Sequence, residues 1–243
     1  MTGKNLIFCL CLLLISCFPL CFMPKLEKIE NLNFKTLVCA FLLFLIVPMS
    51  VFSFLVFDKN SYVSNAKAAG NFDENNVFAV KAVNDLISFF KFEGEVPSQF
   101  SEKEKMHLFD VRLLISQVLI FFYSVSVVFC LFSLFLITKI KKFSLVREFV
   151  CRVLSETGLM GIFVITFFGS LMFFLFGPIF SLFHAVFFAS GTFEFAGTDL
   201  LISLFGGSFF QNFAVQIISW SFFAFASLIL ASLLIRQLWV AKV

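Results

Sequence analysis

Four long apolar blocks, separated by polar segments, dominate the pattern along the chain. We place them at about 37–57, 112–138, 158–186 and 213–236. At 1.5 Å per residue the first block makes about 31 Å of helix, enough to cross a bilayer. Only helices or closed barrels satisfy the backbone in hydrocarbon, and runs this long exclude barrel strands. The pattern predicts an all-α integral membrane protein with a four-helix transmembrane bundle.

The long polar segment 58–111 has a pattern of its own. In NVFAVKAVNDLISFFK, apolar residues recur at spacings of three and four, which predicts an amphipathic helix. This helix would either lie on the membrane surface or pack onto the bundle. Further along, SEKE fits a capping box with Ser101 as N-cap and Glu104 at the third helical position. A helix starting there would run without a break into the second membrane segment.

The charge pattern predicts the orientation. Residues 139–157 are rich in Lys and Arg, whereas residues 187–212 contain neither. The positive-inside rule therefore places 139–157 in the cytoplasm, as a loop, and the loops 58–111 and 187–212 outside. A mean hydropathy of +1.03 with 14% charged residues excludes a soluble globular domain. The net charge of +3 is too small and dispersed for a nucleic-acid partner.

The first 22 residues form an additional apolar segment. We interpret residues 1–22 as an added membrane helix or as the result of a misassigned start, and 23–243 as a single transmembrane domain. The stretch MPKLEKIENLNFKT, beginning at Met23, is typical of a cytoplasmic N-terminus. The intact mass of the expressed protein would decide between the two starts.

The only two histidines, His107 and His184, lie at the ends of apolar segments. The predicted orientation places both at the outer membrane face. Glu104, His107 and Asp110 share one helix face, so a carboxylate could orient the imidazole. Alternatively, Glu104 only caps its helix and Asp110 pairs with Arg112, which marks the membrane boundary.

The second histidine favours a chemical role. His184 is surrounded in sequence by phenylalanines, and ionisable groups at membrane depth tend to mark functional sites. Two histidines can share the base and acid roles near neutral pH. The rival hypothesis is a metal site made of both histidines and one carboxylate from Asp110, Glu104 or Asp199. No H-E-x-x-H motif is present, and we predict no metal and no other cofactor.

Two blocks, EKMHLFDVRLL and LFHAVFFASGTFEFAGTDLLISLF, resemble the bacterial lipoprotein intramolecular transacylase (Lit) family. The resemblance follows the segment order over roughly residues 24–236. The sequence departs from the family pattern in two places. Phe193 stands where we expect a Trp, and Gly206-Gly207 stand where we expect a Pro followed by an acidic residue. Both departures concern the segment 187–212 and hence substrate preference.

The resemblance implies an acyltransferase of the bacterial cytoplasmic membrane with an extracytoplasmic active face. Its substrates would be diacylated lipoproteins, met among membrane lipids. One ester-linked chain would move from the diacylglyceryl group to the α-amine of the N-terminal cysteine, giving the lyso form. The alternatives are a non-enzymatic membrane partner or chaperone subunit, with 58–111 as docking surface, and a metal-dependent membrane hydrolase.

The expected site follows from the matching positions. His107 and His184 would carry proton transfer, with either acting as base or acid. Glu104 or Asp110 would orient His107. Arg112 would contact the oxyanion or a lipid phosphate, unless it is a plain interfacial anchor. Asp199 would hold His184, bind the substrate amine or form a loop turn.

Overall fold

A computed structural model describes residues 30–240 except 72, 74 and 190. The predicted N-terminal apolar segment, residues 1–22, lies outside the described residues. Every regular element in the described part is an α-helix. The helices are α1 (Glu30–Leu55), α2 (Lys59–Ala68), α3 (Val77–Phe90), α4 (Glu102–Lys139), α5 (Phe143–Phe187), α6 (Leu200–Phe205) and α7 (Phe209–Val240).

Four helices are long and apolar enough to cross a membrane. The candidate spans are Phe34–Leu55, Glu102–Lys139, Phe143–Phe187 and Phe209–Leu238. The prediction of an all-α membrane protein with four spanning helices is therefore confirmed. Helices α4 and α7 start at the end of the bundle that carries both histidines, and α1 and α5 finish there. We call this the histidine end.

Residues 139–157, predicted as a cytoplasmic loop, are helical for most of their length. Only residues 140–142 separate α4 from α5, and α5 is helical from Phe143 onwards. The charged residues that suggested a loop lie on a helix surface instead. Glu148 and Arg152, four residues apart, form an ion pair of 3.0 Å between Oε1 and Nε.

The segments predicted as outer loops, 58–111 and 187–212, contain much helix. Residues 58–111 form α2, α3 and the first turns of α4. Of the two positions considered for the amphipathic helix, the structure shows packing onto the bundle. Its residues Ala82, Val83 and Phe89 are fully buried. The main hydrophobic cluster joins α2 and α3 to α6 and to the starts of α4 and α7, so it covers the histidine end.

A kink in α5 precedes the end that carries His184. Leu175 has non-helical angles, with φ −123° and ψ 28°, three residues before Pro178. Proline lacks an N–H and its ring crowds the preceding turn, which bends a helix on its N-terminal side. The kink is therefore a consequence of Pro178.

On the N-terminal side of the kink, α5 packs closely against α7 through small residues. A Cβ atom built on Gly161 would overlap the ring of Phe225, which is itself fully buried. A Cβ on Gly158 would lie 2.8 Å from the Phe225 carbonyl oxygen. Small residues that let helices approach are a common device in membrane bundles. These two glycines set the distance between α5 and α7.

Gly161→Ala should lower the free energy of unfolding by about 1–3 kcal/mol, because the new methyl group needs the space of the Phe225 ring. Thermal unfolding in detergent would measure the loss. Gly177→Ala is the matched control in the same helix, since nothing lies within 4 Å of the added Cβ there. Equal melting temperatures for the two variants would contradict the packing argument.

Candidate active site

Two helices bring the histidines together. His107 lies in the second turn of α4 and His184 in the last turn of α5. Their ring centroids are 6.1 Å apart and the ring planes differ by 19°. No hydrogen bond between the two imidazoles occurs in the part of the chain that the structure describes. Both rings line the same cavity, so both can face one substrate.

A backbone contact fixes the protonation pattern of His184. Its Nδ1 lies 2.8 Å from the carbonyl oxygen of Phe180, one turn earlier in α5. A carbonyl can only accept, so Nδ1 carries the proton of the neutral ring and Nε2 is left with a free lone pair. This is the arrangement that a general base requires.

His107 is buried in an aromatic environment, with 6% of its surface exposed. Phe188 and Phe195 lie at centroid distances of 4.8 and 5.3 Å from its ring. Its Nδ1 has no hydrogen-bond partner among the described residues. A buried polar atom without a partner is costly and rare, so it marks a position where an incoming ligand can bond.

An apolar cavity of about 380 Å³ opens below the two histidines. Apart from the imidazoles and the phenol of Tyr62, its lining consists of aliphatic and phenyl side chains. Burial raises the pKa of the Tyr62 phenol, which donates a hydrogen bond of 3.0 Å to the Val56 carbonyl. The cavity therefore offers a hydrocarbon environment with proton-handling groups only at its head.

Glu104 joins two helices. The capping box predicted from SEKE is present, since Glu104 Oε2 accepts from the Ser101 N–H at 2.7 Å. Its Oε1 accepts from the Leu201 N–H at 2.6 Å, and so caps α6 as well. The side chain is 2% exposed. Glu104 thus holds α6, and the segment leading into it, against the start of α4, and it makes no hydrogen bond to His107.

Comparisons with known proteins show the family of the chain. The family model for lipoprotein intramolecular transacylase Lit matches residues 32–210. The chain belongs to the Lit family. A comparison with curated proteins gave no significant match. The function of the family, lipoprotein intramolecular transacylation, makes the chain an acyltransferase.

Solved structures of a Lit protein share the fold. The in meso structure of the membrane integral Lit from Bacillus cereus is 16% identical, with a TM-score of 0.64, and the match covers 87% of this chain and 95% of that one. Two further structures of that protein carry a histidine replaced by arginine or alanine. They give TM-scores of 0.66 and 0.64 at 15% and 17% identity, covering 88% of this chain and 96% of theirs.

The structure does not bring Arg112 to the cavity of this Lit-family chain. Its guanidinium lies over the rings of Phe92 and Phe89, at 3.9 and 4.5 Å from their centroids. Phe92 has a φ of 64°, in the left-handed region that disfavours phenylalanine. The contact with Arg112 offsets this strain. An oxyanion role for Arg112 is therefore unsupported, and contact with a lipid phosphate stays a prediction.

The two aspartates of the predicted site have different surroundings. Asp110 lies one turn after His107 and close enough to interact with it electrostatically. Among the described residues, no ion pair joins Asp110 to Arg112. Asp199 Oδ2 accepts from the Ala196 N–H at 2.7 Å, which is the loop-turn role. The structure does not place Asp199 in contact with His184.

The sequence did not predict that the segment between α5 and α6 is held against the start of α4. Lys103 donates a hydrogen bond to the Glu194 carbonyl and lies 5.3 Å from the centroid of the Phe195 ring. Phe193, where the family pattern suggested Trp, lies 5.3 Å from His184. The segment therefore covers both imidazoles with phenyl rings. Only the alternating Phe residues of GTFEFAG could have indicated this.

The Gly206-Gly207 departure has a structural explanation. A Cβ on Gly206 would overlap the Ile202 carbonyl, and Gly207 has a φ of 60°. Asn71 also donates a hydrogen bond of 2.7 Å to the Gly206 carbonyl. Both positions therefore require glycine in this turn. The hydrogen bond from Asn71, which follows the end of α2, anchors the turn.

The ligand set for the metal hypothesis is not assembled. Within the described ranges, no three His, Cys, Asp or Glu side chains are close enough together to hold a metal ion. Both oxygens of Glu104 already accept backbone hydrogen bonds, and Asp199 is turned to Ala196. The donor set therefore gives no support to a metal-dependent hydrolase.

Proposed function

We propose that the chain transfers an ester-linked acyl chain from the diacylglyceryl group of a lipoprotein to the α-amine of its N-terminal cysteine. The observation that carries the proposal is the pair of imidazoles, 6.1 Å apart, at the head of an apolar cavity. The cavity suits an acyl chain, and the imidazoles suit an ester and an amine. The lyso-form lipoprotein is the product.

The reaction balances without water or a cofactor. The amine nitrogen attacks the ester carbonyl, a C–N bond forms and the C–O bond to the glyceryl group breaks. The amine loses a proton and the glyceryl oxygen gains one. An α-amino group titrates near pH 8, so a base beside it keeps it reactive at neutral pH. Because both groups belong to one molecule, positioning supplies much of the rate.

The surroundings of the two rings suggest separate roles. His184 Nε2 takes the amine proton, since Nδ1 is engaged with Phe180, and the resulting imidazolium returns it to the glyceryl oxygen. His107, with its unpartnered nitrogen, donates a hydrogen bond to the carbonyl oxygen as negative charge develops there. Glu104 positions the segment between α5 and α6, whose phenyl rings cover the two imidazoles. Asp110 acts on His107 through its charge.

A crossover experiment tests the proposal. The purified chain in proteoliposomes is given two synthetic diacylated lipopeptides of different sequence, one with deuterated acyl chains. Mass spectrometry of the products should show each peptide N-acylated only with its own chains. N-acyl chains exchanged between the peptides would contradict intramolecular transfer. Free fatty acid in place of N-acyl product would support the hydrolase alternative, and unchanged substrate would contradict the function.

We further propose that the site faces the extracytoplasmic side of the bacterial cytoplasmic membrane. The support is the group of Lys and Arg residues at the end of α4, in the connection 140–142 and in the first turns of α5, at the end opposite the histidines. In intact spheroplasts, a membrane-impermeant maleimide should label Glu194→Cys but not Lys141→Cys. The reverse labelling would overturn the orientation.

A further inference from the structure

The cavity follows one face of α4 from His107 into the membrane. Val111, Leu114, Ile115 and Val118 line it after His107, at helical spacings of three and four. The next residues on this face, one turn beyond Val118, do not line it. The cavity therefore has an end, and Val118 is the last contribution of α4 to it.

The lining ends with phenyl side chains on two other helices. The lining residues of α1 and α7 that lie farthest from the histidine end are Phe52 and Phe213. On α5 the lining ends at Phe180, whose ring lies 4.2 Å from that of His184 and so belongs to the head of the cavity. Val118 ends the lining on α4, and we call this end of the cavity the floor. Val118 has no aromatic ring, so its size is the dimension of the floor that a single substitution can change most in either direction.

The depth of the cavity along α4 gives its capacity. From His107 to Val118, α4 rises about 16 Å at 1.5 Å per residue. An extended alkyl chain with bonds of about 1.5 Å advances about 1.3 Å per carbon, so about 12 carbons fit this depth.

The geometry points to a cavity for one acyl chain whose length is limited by Val118. This inference rests on the proposed function and adds a selectivity for the length of the acyl chain. With the ester carbonyl at the histidines, a chain of about 12 carbons reaches the floor, by the same rise per residue. The second chain of the diacylglyceryl group stays in the bilayer. Val118 is a specificity-determining residue that does not contact the reacting atoms.

Diacylated lipopeptides with chains of 10, 12, 14, 16 and 18 carbons would test the inference, with kcat/KM for N-acylation measured for each. Val118→Phe should move the optimum about three carbons shorter and lower kcat/KM for the 12-carbon substrate about tenfold, while the 10-carbon substrate keeps most of its rate. Val118→Ala should move the optimum one or two carbons longer. This variant tests the length limit if Val118→Phe does not fold.

Val127→Phe is the matched control, because Val127 is on the same helix but 57% exposed and outside the cavity. Its chain-length profile should equal that of the wild type. If both Val118 variants keep the wild-type profile, at whatever overall rate, the length limit is wrong while the transacylase function stands. If the wild type acylates no substrate of any length, the proposed function itself fails.

Discussion

His184→Ala is expected to lower the rate of acyl transfer by about 10³-fold, the range of a positioned general base. Nε2 of His184 is the ring nitrogen left free by the bond from Nδ1 to the Phe180 carbonyl. Without it, only the fraction of amine that is already neutral can react. The residual activity of the variant should therefore keep rising with pH through the titration of the α-amine, near pH 8.

His107→Ala should lower the same rate by about 10²–10³-fold, the usual cost of losing a donor to a developing oxyanion. His107→Gln keeps a hydrogen-bond donor and should recover part of the loss, whereas His184→Gln, which offers no base, should recover none. Single-turnover kinetics with a synthetic diacylated lipopeptide would measure all four variants. Equal rescue by glutamine at both positions would contradict the separate roles.

Glu104→Ala should remove about 2–4 kcal/mol of folding free energy. The buried Leu201 N–H would lose a charged acceptor, at about 1–3 kcal/mol. The Ser101 N–H belongs to an exposed residue and would lose less, because water can replace the carboxylate. The cover over the histidines would loosen as α6 detaches from α4, so N-acylation should fall as well. Glu104→Gln keeps one acceptor oxygen and should show about half of each effect. Thermal unfolding and the lipopeptide assay would be measured on the same preparations.

Glu102→Ala is the control for this effect. Glu102 lies two residues away, with an exposed side chain that pairs with Lys105. An exposed ion pair contributes little, so this variant should behave as the wild type. If Glu104→Ala is inactive but as stable as the wild type, Glu104 acts on the chemistry and not on the fold.

Local features could be predicted from the sequence, and contacts between distant segments could not. The capping box of SEKE and the amphipathic pattern of α3 depend on neighbouring residues, so they are visible in the chain itself. The second partner of Glu104, the Leu201 N–H, lies 97 residues away. Nothing local in the sequence marks that bond.

The site shows the same division. The charge pattern put both histidines at one membrane face, but their distance depends on how α4 and α5 pack. The role of Arg112 was missed because its aromatic partners come from the end of α3 and from Phe92 beyond it. The helical start of α5 was missed because its charged residues pair along the helix instead of marking a loop.

The cavity is hydrocarbon-lined and partly open, and this affects how the enzyme is driven. An acyl chain that moves from the bilayer into this cavity stays in a hydrocarbon environment. Its entry and exit therefore change its free energy little. Turnover then needs neither nucleotide hydrolysis nor the proton gradient. In the proposed transfer, the greater stability of an amide over an ester makes the exchange run forwards.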